Sequence, residues 1–270
     1  MARITVPNGE LFLDERGQGT PVVLLHGGLL DHRMWDATVE RLAAAHRVIR
    51  YDARSHGRST SAAGDYSPAE DLRAVLGAAA PEGAAVVGLS LGARTAIDFA
   101  LRWPDLVERL VLVSPGASGM EFADPFIVDL QAQQVEAVQR ADADGFVESF
   151  LRMWVDGPQR RPDETDPGVR AACRRMAMTV ATDHYTAHGA LLEDRAVDRL
   201  AELRPPLLVV TGALDSTDIL RLSDAIIDAV PGAAAVRIPT AAHTVPLDTP
   251  DAFHAAVVPF LAAREPQGQR

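Results

Sequence analysis

The stretch Gly88-Leu89-Ser90-Leu91-Gly92 decides the predicted fold, because an apolar run (residues 84–87) precedes it and a helix-compatible run (residues 93–102) follows it. This is a G-x-S-x-G pattern at a point where a strand turns sharply into a helix. Glycine on both sides permits a strained backbone at Ser90, which lifts the hydroxyl clear of the sheet at the positive end of the helix. The five letters are common in proteins, so it is their context that predicts a nucleophilic serine.

Short apolar runs alternate with amphipathic, alanine-rich segments along most of the chain. From Val22 onward most strand candidates are continuous apolar runs, which is typical of parallel strands buried on both faces. The first two candidates are more polar and are joined by Asn8-Gly9, a hairpin turn signal. We predict an α/β fold in which this hairpin leads into a mostly parallel, eight-stranded sheet with helices on both faces. The strand candidates are Ile4–Val6, Leu11–Asp14, Val22–Leu25, Val48–Tyr51, Ala85–Val87, Leu110–Val113, Leu207–Thr211 and Ala235–Ile238. The helix candidates are Met34–Ala45, Pro68–Ala79, Leu91–Arg102, Asp218–Ala229 and Pro250–Ala263.

The alternation stops after residue 113. From about Gly116 to Asp194 there is helical periodicity and a polar, proline-rich break, but no convincing strand. A helical insert of roughly 80 residues between two parallel strands predicts a lid over the carboxyl edge of the sheet, where open α/β sheets bind ligands. We therefore predict an α/β core, residues 1–115 and 195–270, and a helical cap or lid, residues 116–194.

A serine nucleophile needs a base within hydrogen-bond reach and an acid that orients the base. Of eight histidines, His243 combines the end of a strand with a position far downstream of Ser90. Asp215 lies just past a buried strand at the same edge. Asp218 lies close to a helix start, where capping or pairing with the helix dipole explains an acidic residue. The other place where such folds carry the acid, Ser114–Ser118, has no carboxylate. The predicted triad is therefore Ser90, Asp215 and His243, in the order expected of this arrangement.

The remaining histidines and the single cysteine are predicted to have other roles. We expect His26 to structure its loop, and His32, His46 and His254 to occupy solvated positions. Cys173 lies on an apolar helix face and is predicted to be a buried, inert thiol.

The negative charge that develops on a carbonyl oxygen needs fixed N–H donors, each worth roughly 3 kcal/mol of barrier. The first predicted donor is the N–H of Leu91, at the head of the helix after Ser90. The second should come from the glycine loop after the strand Val22–Leu25. Gly28 is favoured there, with Leu29 as a close rival.

Five segments together resemble the α/β-hydrolase fold superfamily and cover nearly the whole core: Leu24–Gly28, Tyr51–Ser59, the Ser90 elbow, Gly212–Asp215 and Ala242-His243. The part from His26 to Ser59 is similar to the esterase and lactonase branch, which includes 3-oxoadipate enol-lactonases. Two positions depart from that pattern: Ser55 stands where the branch usually has glycine, and Asp248 where a glutamate commonly follows the histidine. The resemblance implies a serine hydrolase that cleaves an ester or lactone through an acyl-enzyme without a cofactor.

Composition limits the partners. The net charge of −11 argues against nucleic acid and anionic membrane surfaces. All 26 basic residues are arginine, which excludes lysine chemistry such as Schiff bases and suggests a bacterial genome. No histidine–carboxylate spacing suggests a metal site. Neither a signal peptide nor a membrane-length apolar run is visible, so we expect a cytoplasmic monomer or homodimer that acts on a small molecule.

The predicted lid is rich in large apolar side chains, which favours a largely apolar substrate. The tentative pocket residues are Leu29, Phe126, Phe150, Trp154, Met178 and Tyr185. Two alternatives stay open at this point. The same triad could hydrolyse a carbon–carbon bond of a diketone, or the chain could be a small-molecule receptor that retains a hydrolase pocket.

Overall fold

An eight-stranded sheet organises the chain in a computed structural model that describes residues 1–263. The strand order across the sheet is β1-β2-β4-β3-β5-β6-β7-β8. The last residues of the predicted core segment, 264–270, lie outside the described part. The strands are β1 (Ala2–Val6), β2 (Gly9–Arg16), β3 (Thr20–Leu25), β4 (His46–Tyr51), β5 (Ala84–Leu89), β6 (Val107–Val113), β7 (Leu207–Gly212) and β8 (Ala234–Ile238).

The sheet has the predicted topology. β1 pairs antiparallel with β2 through a two-residue turn at Pro7-Asn8, one residue earlier than the predicted Asn8-Gly9 turn, because Gly9 already pairs with Val6. β2 pairs antiparallel with β4. The other neighbouring strands all pair in parallel. Each predicted strand lies within an observed one, so the mostly parallel eight-stranded sheet is confirmed.

Helices cover both faces of the sheet, and each face has its own apolar core. Residues such as Phe99 and Leu72 pack on one face, and Trp35 and Phe253 pack on the other. Every residue of β5 is buried, which explains its unbroken apolar sequence. The helices are α1 (Asp36–Leu42), α2 (Pro68–Ala79), α3 (Leu91–Arg102), α4 (Pro125–Gln139), α5 (Ala143–Phe150), α6 (Pro167–Asp183), α7 (Thr217–Ala229), α8 (Val245–Asp248) and α9 (Pro250–Ala262). A π-helical segment (Leu151–Asp156) extends α5, and short 3-10 turns occupy His32–Trp35, Pro104–Leu106, Pro162–Glu164, Ala196–Asp198 and Leu200–Glu202.

The segment between β6 and β7 contains α4, α5, the π-helical segment and α6, and we call residues 116–194 the helical insertion. The sequence predicts only helical structure there, but two isolated parallel bridges join it to the loop before α2. These bridges pair Ala63 with His188 and Tyr66 with Leu191. They escape sequence analysis because each bridge joins segments about a hundred residues apart. None of the helices within residues 1–263 is long and apolar enough to cross a membrane.

Two carboxylates dock the start of the insertion onto α7. Asp218 Oδ2 accepts hydrogen bonds from the N–H groups of Ala123 and Asp124, at 2.9 and 2.8 Å. Asp124 Oδ2 in turn accepts from the N–H and the hydroxyl of Thr217. Asp218 thus holds the insertion in place.

Candidate active site

Ser90 lies in a strained turn between β5 and α3. Its φ of 53° and ψ of −108° are a conformation that costs a non-glycine residue about 1–3 kcal/mol. The flanking glycines are required by close packing: a Cβ on Gly88 would lie 2.4 Å from the carbonyl carbon of Gly92, and one on Gly92 would lie 2.3 Å from the carbonyl oxygen of Leu25. The helix therefore begins directly against the sheet.

Backbone hydrogen bonds hold Ser90 in this turn. Its N–H donates to the carbonyl of Val113 at 3.0 Å, and its own carbonyl accepts from Arg94 at 2.9 Å and from Gly116 at 3.3 Å. No side chain caps α3 at Ser90. The first N–H groups of the helix, beginning with Leu91, therefore point toward the site with the positive end of the helix dipole.

His243 and Asp215 are joined at the ends of the last two strands. His243 follows β8 and Asp215 follows β7, and His243 Nδ1 lies 2.9 Å from Asp215 Oδ2. The other carboxylate oxygen accepts the N–H of Ser216 at 2.7 Å. Both side chains are buried. An ionised carboxylate accepts hydrogen bonds and does not donate them, so Nδ1 is the donor in this contact.

The loop after β3 places Gly28 beside Ser90 and His243. Leu29, the rival donor, gives its N–H to Nε2 of His56 at 3.2 Å. His56 Nδ1 donates to the carbonyl of Arg54 at 2.8 Å, which fixes the tautomer that can accept from Leu29. Burial lowers the pKa of His56 to about 3, so the ring stays neutral and keeps accepting.

His26 shapes the start of this loop, as the sequence predicts. Its Nδ1 donates to the carbonyl of Gly27 at 2.8 Å, and its Nε2 accepts from the N–H of Ala53 at 2.9 Å. Burial also lowers the pKa of His26. Two neutral histidines, His26 and His56, therefore hold the glycine loop in place through hydrogen bonds to its backbone.

The prediction of solvated positions is wrong for His32 and His46, which are both buried. His32 Nδ1 lies 2.7 Å from Asp52 Oδ1, a partner twenty residues away that the sequence does not reveal. His254 is half-buried, and its Nε2 lies 3.1 Å from Thr38 Oγ1. Cys173 is buried as predicted, and burial raises the pKa of its thiol to about 12.

Asp31, His32 and Asp52 form the one buried group within residues 1–263 whose donor atoms lie close enough together to hold a metal ion. Protein donors already occupy these atoms. Asp52 accepts from the backbone N–H groups of His32 and Arg58, and Asp31 forms a forked pair with Arg33. The carboxylates of this cluster are thus hydrogen-bonded by groups of the protein itself, and the network stabilises the loop after β4.

A cavity of about 300 Å³ brings the candidate residues together. Ser90 and His243 both line it, with Gly28 and Leu91 beside them. Within residues 1–263 no hydrogen bond joins Ser90 to His243. The full lining is Gly27, Gly28, Leu29, Leu30, Leu89, Ser90, Leu91, Gln134, Phe146, Phe150, Trp154, His243 and Thr244.

The insertion supplies the apolar wall of this cavity. Of the tentative pocket residues, Leu29, Phe150 and Trp154 line the cavity, whereas Phe126, Met178 and Tyr185 do not. Tyr185 is 78% exposed, and Phe126 and Met178 pack against apolar clusters without lining the cavity themselves.

Two polar residues of the lining were not expected from the sequence. Gln134 and Thr244 carry no motif, and only the packing of α4 and of the His243 loop places them there. The Trp154 ring also packs against the His243 ring, with the centroids 4.5 Å apart and the planes tilted by 43°. The insertion thus reaches the base itself.

Comparisons with known proteins agree with this architecture. The profile of the Alpha/beta hydrolase family matches residues 22–256. A pimeloyl-(acyl-carrier protein) methyl ester esterase from Pectobacterium atrosepticum is 31% identical over 94% of this chain and 99% of that protein. A putative carbamate hydrolase from Azorhizobium caulinodans is 26% identical over 94% of this chain and 95% of that protein. The solved enol-lactonase from Burkholderia xenovorans has the same fold, with a TM-score of 0.79, 24% identity, and coverage of 97% of this chain and 100% of that chain.

Proposed function

The chain belongs to the Alpha/beta hydrolase family and is a hydrolase that acts on ester bonds, and from that premise we propose that Ser90, His243 and Asp215 carry out the hydrolysis. The observation that carries this proposal is the 2.9 Å contact between His243 and Asp215 at the wall of a cavity that Ser90 also lines. The proposed substrate is a carboxylic ester or lactone of a small, largely apolar metabolite.

In the first half of the proposed reaction, Ser90 Oγ attacks the carbonyl carbon while His243 Nε2 takes the hydroxyl proton. Loose contacts between such groups are common before substrate binds, and a small side-chain rotation forms the missing hydrogen bond. The N–H groups of Leu91 and Gly28 hold the oxyanion, since the N–H of Leu29 is engaged by His56. The bond from carbon to the alkoxy oxygen then breaks, and His243 gives its proton to the leaving alcohol.

In the second half, water attacks the acyl carbon. His243 Nε2 takes a proton from the water, and Asp215 stabilises the imidazolium that forms. When the tetrahedral intermediate collapses, Ser90 leaves and regains a proton from His243. The carboxylic acid departs, and the enzyme returns to its starting state with no group consumed.

We propose that the helical insertion acts as a cap that selects the substrate. Phe146, Phe150 and Trp154 give the cavity its apolar wall. Apolar acyl groups are therefore favoured, because they replace water against these rings. Gln134 and Thr244 are the polar side chains of the lining beyond Ser90 and His243, so the cavity can also accommodate one polar group.

Three alternative functions can be distinguished from ester hydrolysis by the products they give. A diketone would yield carbon–carbon cleavage on the same triad. A carbamate, the substrate class named for one relative, would yield an amine or ammonia. A receptor would show slow single turnover in place of catalysis.

The test is a panel of matched substrates with the purified protein. It contains a short p-nitrophenyl ester, a γ-lactone, a carbamate of the same phenol and a vinylogous diketone. The proposal predicts multiple turnovers on an ester or lactone and labelling of Ser90 by diethyl p-nitrophenyl phosphate, located by peptide mass. Multiple turnovers on the diketone alone would replace the ester assignment.

A further inference from the structure

We infer that Arg160 is a positioning residue for His243, acting through Asp248 and through the π-helical segment that carries Trp154. The inference rests on the proposed function, because it assigns the role of base to His243. No sequence motif marks Arg160, which lies in the proline-rich break of the insertion.

Arg160 first binds the end of the π-helical segment. Its Nε donates to the carbonyl of Asp156 at 2.9 Å, and one terminal nitrogen donates to the carbonyl of Val155 at 2.7 Å. The last carbonyls of a helix have no partner within the helix, so the guanidinium satisfies groups that would otherwise be orphaned. This fixes the backbone directly after Trp154.

The same terminal nitrogen of Arg160 also binds the segment that carries His243. It donates to Asp248 Oδ2 at 2.8 Å, and that oxygen also accepts the N–H of Ala242, the residue before His243, at 2.9 Å. The side chains of Arg160 and Asp248 are 13% and 3% exposed, so water screens this pair weakly. Burial raises the pKa of Asp248, whereas the Ala242 N–H and Arg160 act in the opposite direction.

The π-helical segment then contacts the base from the other side. The Trp154 ring packs against the His243 ring in a tilted arrangement, with the centroids 4.5 Å apart. Gln159, next to Arg160, donates to the carbonyl of Ala213 at 3.3 Å, in the loop that carries Asp215. One short stretch of the insertion thus touches the backbone before the base, the ring of the base and the loop of the acid.

Loss of this link should therefore change kcat and KM to different extents. Breaking the Arg160–Asp248 link frees the imidazole to leave the line between Asp215 and Ser90. A displacement of about 1 Å can cost on the order of a hundredfold in rate. Of the three aromatic rings in the apolar wall, Phe146 and Phe150 lie outside this link and only Trp154 is attached to it, so kcat falls more than KM changes.

The experiment compares Arg160→Met with Arg161→Met, a matched control whose side chain is 70% exposed and binds only acidic residues of its own turn. The first readout is kcat and KM on the best ester. The second is the downfield proton NMR signal of His243 Nδ1–H, assigned by its loss in His243→Gln, which needs no activity. We expect Arg160→Met to lower kcat roughly 10- to 100-fold with KM within threefold, and to broaden the signal. Arg160→Lys should recover part of kcat, and Arg161→Met should match the wild type.

A sharp, unshifted Nδ1–H signal in Arg160→Met, or a kcat within twofold of the wild type, would overturn the inference. If Arg160→Met does not fold, Asp248→Asn replaces it, since the amide keeps an acceptor for Ala242 but loses the charge that holds Arg160. If the wild type shows no Ser90-dependent hydrolysis, the proposed function fails, and the NMR comparison still decides the role of Arg160.

Discussion

The N–H of Leu29 donates to Nε2 of His56 at 3.2 Å, and this contact favours Gly28 in the proposed oxyanion hole. The sequence leaves Gly28 and Leu29 as rivals on the same glycine loop. Since the N–H of Leu29 is already engaged, we propose that the N–H of Gly28 binds the substrate oxygen. His56, a buried histidine 27 residues away, is what distinguishes the two donors.

His56 should make the protein less stable in acid. Its pKa is about 3 in the folded chain and about 6.5 when unfolded, so its contribution to stability is complete above pH 6.5 and is lost as pH falls from there toward 3. Between pH 7 and pH 5 this amounts to about 2 kcal/mol. Urea unfolding at both pH values should show that His56→Gln loses about 2 kcal/mol less than the wild type over this interval. Parallel losses in the two proteins would mean that His56 does not stay neutral.

Removing the N–H of Gly28 should slow catalysis without preventing binding. Gly28→Pro should lower kcat roughly 10²- to 10³-fold, the usual effect of losing one oxyanion donor. Gly28→Ala is the control, because it keeps the N–H and its Cβ would lie at an ordinary 3.9 Å from Leu91 Cβ. Steady-state kinetics on one ester compare the two variants. If Gly28→Ala is as slow as Gly28→Pro, bulk at this position, and not the donor, is responsible.

Asp215→Asn should lower kcat on the order of 10³- to 10⁴-fold, because an amide can donate to His243 Nδ1 and hold the wrong tautomer. Asp218→Asn is the matched control three residues away. Its carboxylate binds backbone N–H groups of the insertion, and the amide keeps an acceptor oxygen there. We expect kcat for Asp218→Asn within about threefold of the wild type. Equal losses in both variants would argue against Asp215 as the orienting acid.

Phe146 and Phe126 provide a test of the cap. Both are half-buried in the insertion, but only Phe146 lines the cavity. Phe146→Ala should raise the ratio of kcat/KM for an octanoyl over an acetyl ester by roughly 10-fold, since space in a hydrophobic pocket changes discrimination by about 1–3 kcal/mol per methylene at most. Phe126→Ala should leave the ratio within twofold. An unchanged ratio in Phe146→Ala would place acyl selection elsewhere.

The sheet and the helices of the core could be predicted because their signals are local. The apolar run of β5 and the glycines around Ser90 show burial and close packing within a few residues, and the structure gives both their physical cause. The ends of β7 and β8 likewise follow from short apolar runs. Parallel pairing then brings Asp215 and His243 to one edge of the sheet.

The lining of the cavity could be predicted only in part, at Leu29, Phe150 and Trp154, because the rest depends on how helices of the insertion are rotated against the core. Phe126 and Phe150 look alike in sequence, yet Phe126 packs against an apolar cluster of the insertion and does not line the cavity. Buried ion pairs are equally invisible: Asp52 keeps His32 inside the protein, and Arg160 meets Asp248 across 88 residues. Such contacts depend on the completed fold and leave no periodicity in the chain.

The most direct test of the central claim is p-nitrophenyl ester turnover by the wild type and by Ser90→Ala, measured side by side at equal concentrations of folded protein. We predict that the substitution lowers kcat by at least about 10³-fold, because without the Ser90 hydroxyl no acyl-enzyme forms. Turnover that survives Ser90→Ala undiminished would show that Ser90 is not the nucleophile.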